Sequence, residues 1–230
     1  MKQKLVVLSG AGMSAESGLK TFRDAGGLWE GHSIYDVATP EAFERNPDLV
    51  LRFYNMRRDD LRKAEPNAGH KMLATLEENF DIQIITQNVD DLHERAGSTN
   101  VLHLHGQLMQ ARSVADAETI YDLGEKNIEV GDLAPDGHAL RPHVVWFGED
   151  VPAMFEAMKI AASADIFAVI GTSLAVYPAA SLVNDIPKAC RAYIIDTNIP
   201  DVSGLSRFKA IELPATEGVK QLSELLHLQD

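Results

Sequence analysis

The chain has 230 residues, 45% of them hydrophobic and 24% charged, and its 34 acidic against 21 basic side chains give a formal net charge of −13. A chain of that size and mix can bury a globular core, as one large domain or a domain with a smaller insert, and nothing in it marks disorder. The acidic balance argues against a general role on DNA or RNA, because releasing phosphate counterions needs a basic surface.

A single cysteine, Cys190, excludes a disulfide framework and a thiolate-only zinc site built within the chain. The opening MKQKLVVLSGAG has an apolar run too short for a signal sequence. No segment approaches the roughly 20 apolar residues of a membrane helix. The expectation is a cytoplasmic protein with neither membrane nor nucleic-acid partners.

In chain order, four short apolar runs stand out: KLVVLSGAG (4–12), IQIITQNVD (82–90), IFAVIGTSL (166–174) and AYIIDTN (192–198). Rich in Val and Ile and without alternation, they predict strands buried on both faces, hence a parallel sheet. Helices are expected at 40–64, 67–79, about 151–163, 177–186 and 216–227. The fold class is therefore α/β: a doubly wound parallel Rossmann-like sheet, with ligands beyond the carboxyl ends of its strands. Residues 31–79, mostly helical with no strand, and 110–139, polar with short β-like pieces, interrupt the alternation. They predict a second, smaller domain made of two insertions, leaving 1–30, 80–109 and 140–230 as the larger one.

Gly10, Gly12 and Ala15 match G-x-G-x-x-G/A, a tight turn that lets pyrophosphate approach the backbone. A hydride-transfer enzyme would continue into a second strand ending in an acidic residue about 20 residues on. Here the chain runs on as TFRDAGGLW, a glycine-rich loop, which disfavours that class. Between these landmarks, Tyr54 and Arg57 lie three apart in a predicted helix; taken alone, they and Arg58, Asp59, Arg62 and Lys63 read as an ordinary solvated face.

At GAGMSAESGLKTFRD the sequence resembles the sirtuin family of NAD-dependent protein lysine deacylases, whose signature is GAGxSxxSGIPxFR. TQNVDDLHERAG (86–97), LHLHGQL (102–108), RPHVVWFGE (141–149), GTSLAVYPAA (171–180) and IIDTN (194–198) follow in the family's order. The resemblance implies NAD as co-substrate. Gly10, Ala11, Gly12, Ser14 and Glu16 would lie in the turn under its phosphates, with Gly171, Thr172 and Ser173 closing on them and Arg23 adding a positive charge. Asn198 would contact a ribose and Ala215 the adenine, while Gln87, Asn88 and Asp90 border the nicotinamide ribose beneath Phe22. His105 is implied as the base and Asn88 as the residue that orients the ribose or a water; His103 is left as a packed or surface histidine. In the implied reaction the acyl-lysine oxygen displaces nicotinamide at ribose C1′, and neutral His105 then takes a ribose hydroxyl proton.

Most sirtuins carry two CxxC pairs that hold zinc. Here Ser113-Val114-Ala115-Asp116 and Leu133-Ala134-Pro135-Asp136 stand in their place, so no zinc is expected. One class of the family carries a Tyr-x-x-Arg pair matched by Tyr54 and Arg57, which implies acidic acyl groups, succinyl and malonyl above acetyl, with Ala25 leaving room for the longer chain. Phe147 and Gly148 match the segment that pairs with the backbone of the partner, an acylated lysine on a protein. The alternatives on the same site are an NAD glycohydrolase or ADP-ribosyltransferase, or a non-catalytic NAD sensor.

Overall fold

The computed structural model describes residues 2–20, 28–29, 31–200 and 205–227. In chain order the elements are β1 (Lys4–Ser9), α1 (Gly12–Ala15), β2 (Leu28–Trp29), β3 (His32–Ser33), α2 (Ile34–Val37), α3 (Pro40–Arg45), α4 (Pro47–Lys63), α5 (Ala68–Leu76), β4 (Asp81–Thr86) and α6 (Leu92–Arg95). Then come β5 (Val101–His103), β6 (Gly106–Ser113), β7 (Ile120–Asp122), β8 (Leu140–Val144), α7 (Met154–Ala162), β9 (Ile166–Ile170), a 3-10 helix (Ala179–Asn184), β10 (Arg191–Ile195), β11 (Lys209–Ile211) and α8 (Ala215–His227). No helix among the described residues is long and apolar enough to cross a membrane.

Six strands form a parallel sheet in the order β11-β10-β9-β1-β4-β5. The chain leaves β1 toward β4 and β5, then returns to β1's other edge with β9, so the strand order reverses beside β1. That is the switch point where an open α/β sheet leaves a crevice. The non-alternating runs are explained by two buried faces. Leu5, Val7, Ile84 and Ile170 pack against α5 and α8 through Leu73, Leu76, Val219 and Leu222, while Val6, Leu8, Ile85 and Val169 pack on the other side with Ala157, Ala161 and Leu182. Each such Leu or Ile contributes about 1.5–3 kcal/mol by its removal from water. The edge strands β5 and β11, three residues each, were not foreseen.

Three differences from expectation have local causes. The helix expected over 40–64 is two, because Asn46 leaves helical geometry before Pro47 and caps the second by accepting from the Leu49 N–H at 3.2 Å. A short strand, β3, falls in the stretch expected to have none. Arg58 is not solvated: it is fully buried, its guanidinium donating to the Leu108 carbonyl at 3.2 Å and to the Asn55 amide oxygen, and burial lowers its pKa to about 10. It follows Leu51 and Tyr54 on the inward phase of α4, so the spacing of apolar positions, not the charge, decides its side. Arg62 is also mostly covered, bonded to Asp59 at 2.6 Å and to the Lys126 carbonyl at 2.9 Å.

A smaller antiparallel sheet, β7-β6-β8, lies under α4. At residues 113–116 and around Asp136 its turns are closed by hydrogen bonds. Ser113 Oγ accepts from the Ala115 N–H at 3.0 Å and donates to Asp136. Asp136 also accepts the His138 N–H at 2.9 Å, and Asp116 takes the Thr119 hydroxyl at 2.6 Å and the Glu118 N–H at 2.8 Å. The Thr119 hydroxyl holds Asp116, and the Ser113 hydroxyl holds Asp136, below the ordinary carboxylate value of 3.8. A depressed folded-state pKa adds stability that is present above 3.8 and lost as pH falls through the lowered values. Amide hydrogen exchange should therefore show Glu118, Thr119 and His138 losing protection on acidification before β1 and β4 do; simultaneous loss would mean that these turns do not hold the small sheet.

Candidate active site

The crevice begins with two loops in backbone contact. After β1 the Gly10 N–H donates to the Ile170 carbonyl at 2.9 Å, and the Gly12 N–H to the Gly171 carbonyl at 2.8 Å. A Cβ on Gly12 would lie 2.6 Å from Gly171 Cα, and one on Gly171, whose φ is +63°, 2.4 Å from the Met13 nitrogen. Only glycine fits both sides. Asn67, the cap of α5, fastens this turn by donating to the Met13 carbonyl at 2.8 Å and to Ser17 Oγ at 3.1 Å.

The loops floor a cavity of about 900 Å³. Its wall brings together Gly10, Ala11, Gly12, Ser14, Glu16, Gln87, Asn88, Asp90, His105, Gly171, Thr172, Ser173 and Ala215 with Tyr54, Arg57, Phe147 and Gly148. Asn198 is not in that wall; the end of β10 contributes Ile195, Asp196 and Thr197 instead, and the Asn198 N–H bonds to Asp196 Oδ1 at 3.0 Å. Phe22, Arg23 and Ala25 lie outside the described residues. Glu16 is turned on α8, accepting the Thr216 N–H at 2.9 Å and its hydroxyl at 2.7 Å.

At the end of β4 the polar side chains interlock. Ser14 Oγ donates to Asp90 Oδ2 at 2.9 Å and accepts from Asn88 Nδ2 at 3.1 Å, while Gln87 Nε2 donates to Thr172 Oγ1 at 3.1 Å. Burial raises the pKa of Asp90, although the Ser14 hydroxyl and the Leu92 N–H favour its anion. His105 places Nδ1 2.9 Å from the Gln87 carbonyl. A carbonyl only accepts, so Nδ1 carries the proton of the neutral ring and Nε2 keeps the lone pair. Burial also lowers the His105 pKa, which keeps the ring neutral near pH 7.

His103 makes the same contact one residue along, Nδ1 to the Asn88 carbonyl at 3.0 Å, with Nε2 on Glu94 Oε1 at 2.7 Å. Burial pulls its pKa down, but Glu94 more than offsets this and the net shift is upward. It braces the strand end, a packed role in keeping with its sequence reading.

The far end of the cavity is formed by α4 and the segment after β8. Tyr54 is fully buried and its hydroxyl oxygen accepts the Trp146 Nε1–H at 2.9 Å, leaving the phenol proton to be donated. Burial, opposed by Arg57, pushes its pKa up to about 12. Trp146 is itself held, with the Arg141 guanidinium 3.4 Å over its ring and Glu149 Oε2 accepting its backbone N–H at 2.7 Å. No sequence motif pointed to Trp146 or Asn67 as supports, because each acts through a partner distant in the chain.

The profile of the Sir2 family matches residues 10–178. The chain belongs to the Sir2 family. A Sir2 homolog–NAD complex superposes with a TM-score of 0.87 at 36% identity, over 99% of this chain and 91% of that one. A Sir2–p53 peptide–NAD+ complex does so with a TM-score of 0.79 at 28% identity, over 99% and 95%. A relative named NAD-dependent protein deacylase, from Bacteroides thetaiotaomicron, is 48% identical over 229 residues, 97% of this chain and 98% of its own length. Another of that name, from Aggregatibacter actinomycetemcomitans, is 57% identical over 199 residues, 86% and 95%.

The cavity of this Sir2 chain fits NAD in volume, in a glycine floor that a Cβ would fill, and in amide and hydroxyl donors at the ends of β1, β4 and β9. Close approach of main chain thus shapes the floor of this cavity. Gly171→Ala forces a Cβ into Met13 at positive φ and should cost about 1–3 kcal/mol of stability. Calorimetric titration should show NAD affinity falling about tenfold for every 1.4 kcal/mol that reaches the site; unchanged affinity would mean that the two loops need not touch.

Proposed function

We propose that this Sir2 chain is an NAD-dependent protein lysine deacylase that prefers succinyl and malonyl to acetyl groups. The deacylase part rests on the family and on relatives bearing that name. The acyl preference rests on one observation: Tyr54 and Arg57 stand in the wall of the same cavity as His105, with the Tyr54 proton left to donate. From α4 that wall also takes Asp60 and Lys63, so the three charged side chains leave one net positive charge. A guanidinium holds a carboxylate with two parallel bonds and a phenol adds a third. Acetyl offers no partner, and a hydrogen bond to a charged group is worth about 1.5–3 kcal/mol, roughly 10- to 100-fold in selectivity.

NAD supplies an electrophilic ribose carbon with nicotinamide as its leaving group. Asn88, fixed through Ser14, orients the ribose, and Asp90 borders the nicotinamide. His105 accepts a ribose hydroxyl proton at Nε2. Phe147 and Gly148 give the substrate backbone an edge on which to add a strand. NAD is assigned to the larger unit (1–30, 80–109 and 140–230) and the acyl-lysine to the cleft between it and the smaller one (31–79 and 110–139).

One lysine peptide carrying succinyl, malonyl or acetyl should be cleaved best when the acyl group is acidic. Arg57→Met should lose about 10- to 100-fold in kcat/KM on the acidic peptides and little on acetyl. Faster acetyl removal by the wild type, unchanged in the variant, would make the pair an ordinary helix face; nicotinamide release without any acyl-lysine would favour a glycohydrolase. The pH profile supplies an independent check. A base with a lowered pKa stays unprotonated until the pH falls below that value, so kcat/KM should be flat through neutrality and decline only below 6.5, the ordinary imidazole value. An acid limb at or above 6.5 would argue against His105 as the base.

A further inference from the structure

Behind the cavity floor, two buried histidines lie where the reaction as described does not use them. His70 and His93 are both inaccessible to solvent, their ring centroids 4.8 Å apart at 66°. His70 Nε2 and His93 Nδ1 have no hydrogen-bond partner among the described residues. Two orphaned polar nitrogens on neighbouring buried rings call for an account.

The proton positions follow from their other bonds. His70 is the third residue of α5, and its Nδ1 accepts the Asn67 N–H at 3.3 Å. A backbone N–H only donates, so the proton of neutral His70 is on Nε2, the orphaned atom. His93 Nε2 lies 3.0 Å from Ser9 Oγ, and Ser9 Oγ lies 2.9 Å from Thr86 Oγ1, which accepts the Asn88 N–H at 3.0 Å. If Ser9 donates to Thr86, it accepts from His93 Nε2–H, and the orphaned Nδ1 of His93 is an acceptor. The orphaned pair is then one donor and one acceptor. In the opposite arrangement both orphaned atoms are N–H donors: without a water each is unsatisfied, at a cost of about 1–3 kcal/mol, and a water accepting from both would need further acceptors for its own two hydrogens. Burial also lowers both pKa values, His70 to about 4, so neither ring is charged near neutrality.

We infer that one water joins His70 Nε2–H, as donor, to His93 Nδ1, as acceptor, and so completes a hydrogen-bond relay from the α5 cap to Thr86 Oγ1, where it meets the bond that this oxygen accepts from the Asn88 N–H. The relay starts at Asn67, the residue that also holds the glycine turn by its grip on Met13 and Ser17. Both ends of the NAD seat are thus referred to one cap. The two histidines are positioning residues, touching neither NAD nor acyl-lysine, and their importance to turnover rests on the reading of Asn88 given above.

The relay is tested first by long-range ¹H–¹⁵N correlation spectra of the wild-type protein at neutral pH. Both rings should appear as neutral Nε2–H tautomers; a proton on His93 Nδ1, or a charged ring, overturns the assignment. In kinetics of nicotinamide release with the best acyl peptide, His70→Leu should lower kcat about tenfold with KM for NAD nearly unchanged, as a misplaced reactive group does. His70→Gln, whose amide can accept from Asn67 and donate to the water, should restore most of kcat. Equal kcat in both variants, whether wild-type or lowered, refutes the positioning role. Asn88→Ala separates the two readings: wild-type turnover there removes the catalytic role of Asn88, while the tautomers still report on the relay.

Discussion

The cavity exists because two loops touch through their backbones. Gly10 and Gly12 meet Gly171 and Thr172 at distances no side chain tolerates, and the bonds from Gly10 N–H and Gly12 N–H lock the end of β1 to the end of β9. With the strand order reversing at β1, this contact floors the crevice. It also resolves an electrostatic tension: a chain of net charge −13 must hold a dinucleotide that carries phosphates. Long-range attraction is not available to it. A floor without side chains lets the dinucleotide come within contact distance of the polar groups around it, where the overall field matters little.

From that floor, the chemistry is organised by the carbonyl direction at the end of β4. The Gln87 and Asn88 carbonyls, successive in the chain, take Nδ1 of His105 and of His103. Similar contacts yield opposite electrostatics, since His103 has Glu94 at its other nitrogen and His105 has the cavity. One ring is pulled toward the charged form and the other held neutral. A strand end thereby produces a brace and a neutral ring at the cavity from the same residue type.

Much of this was legible in the sequence, for physical reasons. The central strands showed as unbroken apolar runs because both their faces are covered, and the glycine turn showed because no other residue fits it. Edge strands β5 and β11 were too short to give a pattern. The break at Asn46 was written in the Asn-Pro pair, yet the helical spacing on either side hid it. By charge Arg58 belongs on a solvated face, but its helical phase with Leu51, Tyr54 and Leu61 places it inward. What sequence could not offer was the partner of a support residue: Trp146 under Tyr54, Thr216 on Glu16 and Met13 on Asn67 are pairings made only by the fold.

Helix α4 carries two unlike duties on interleaved positions. Asn55 and Arg58 fasten it to the Ile128 backbone and to β6, and Arg57 and Asp60 face the cavity. Neighbours in sequence thus answer to different demands: exchange at 55 or 58 breaks an anchor, whereas exchange at 57 or 60 changes the cavity wall. Such an arrangement lets the cavity wall change across generations while the scaffold stays put. A differently shaped or charged pocket is then within reach of single substitutions, without a passage through unstable intermediates.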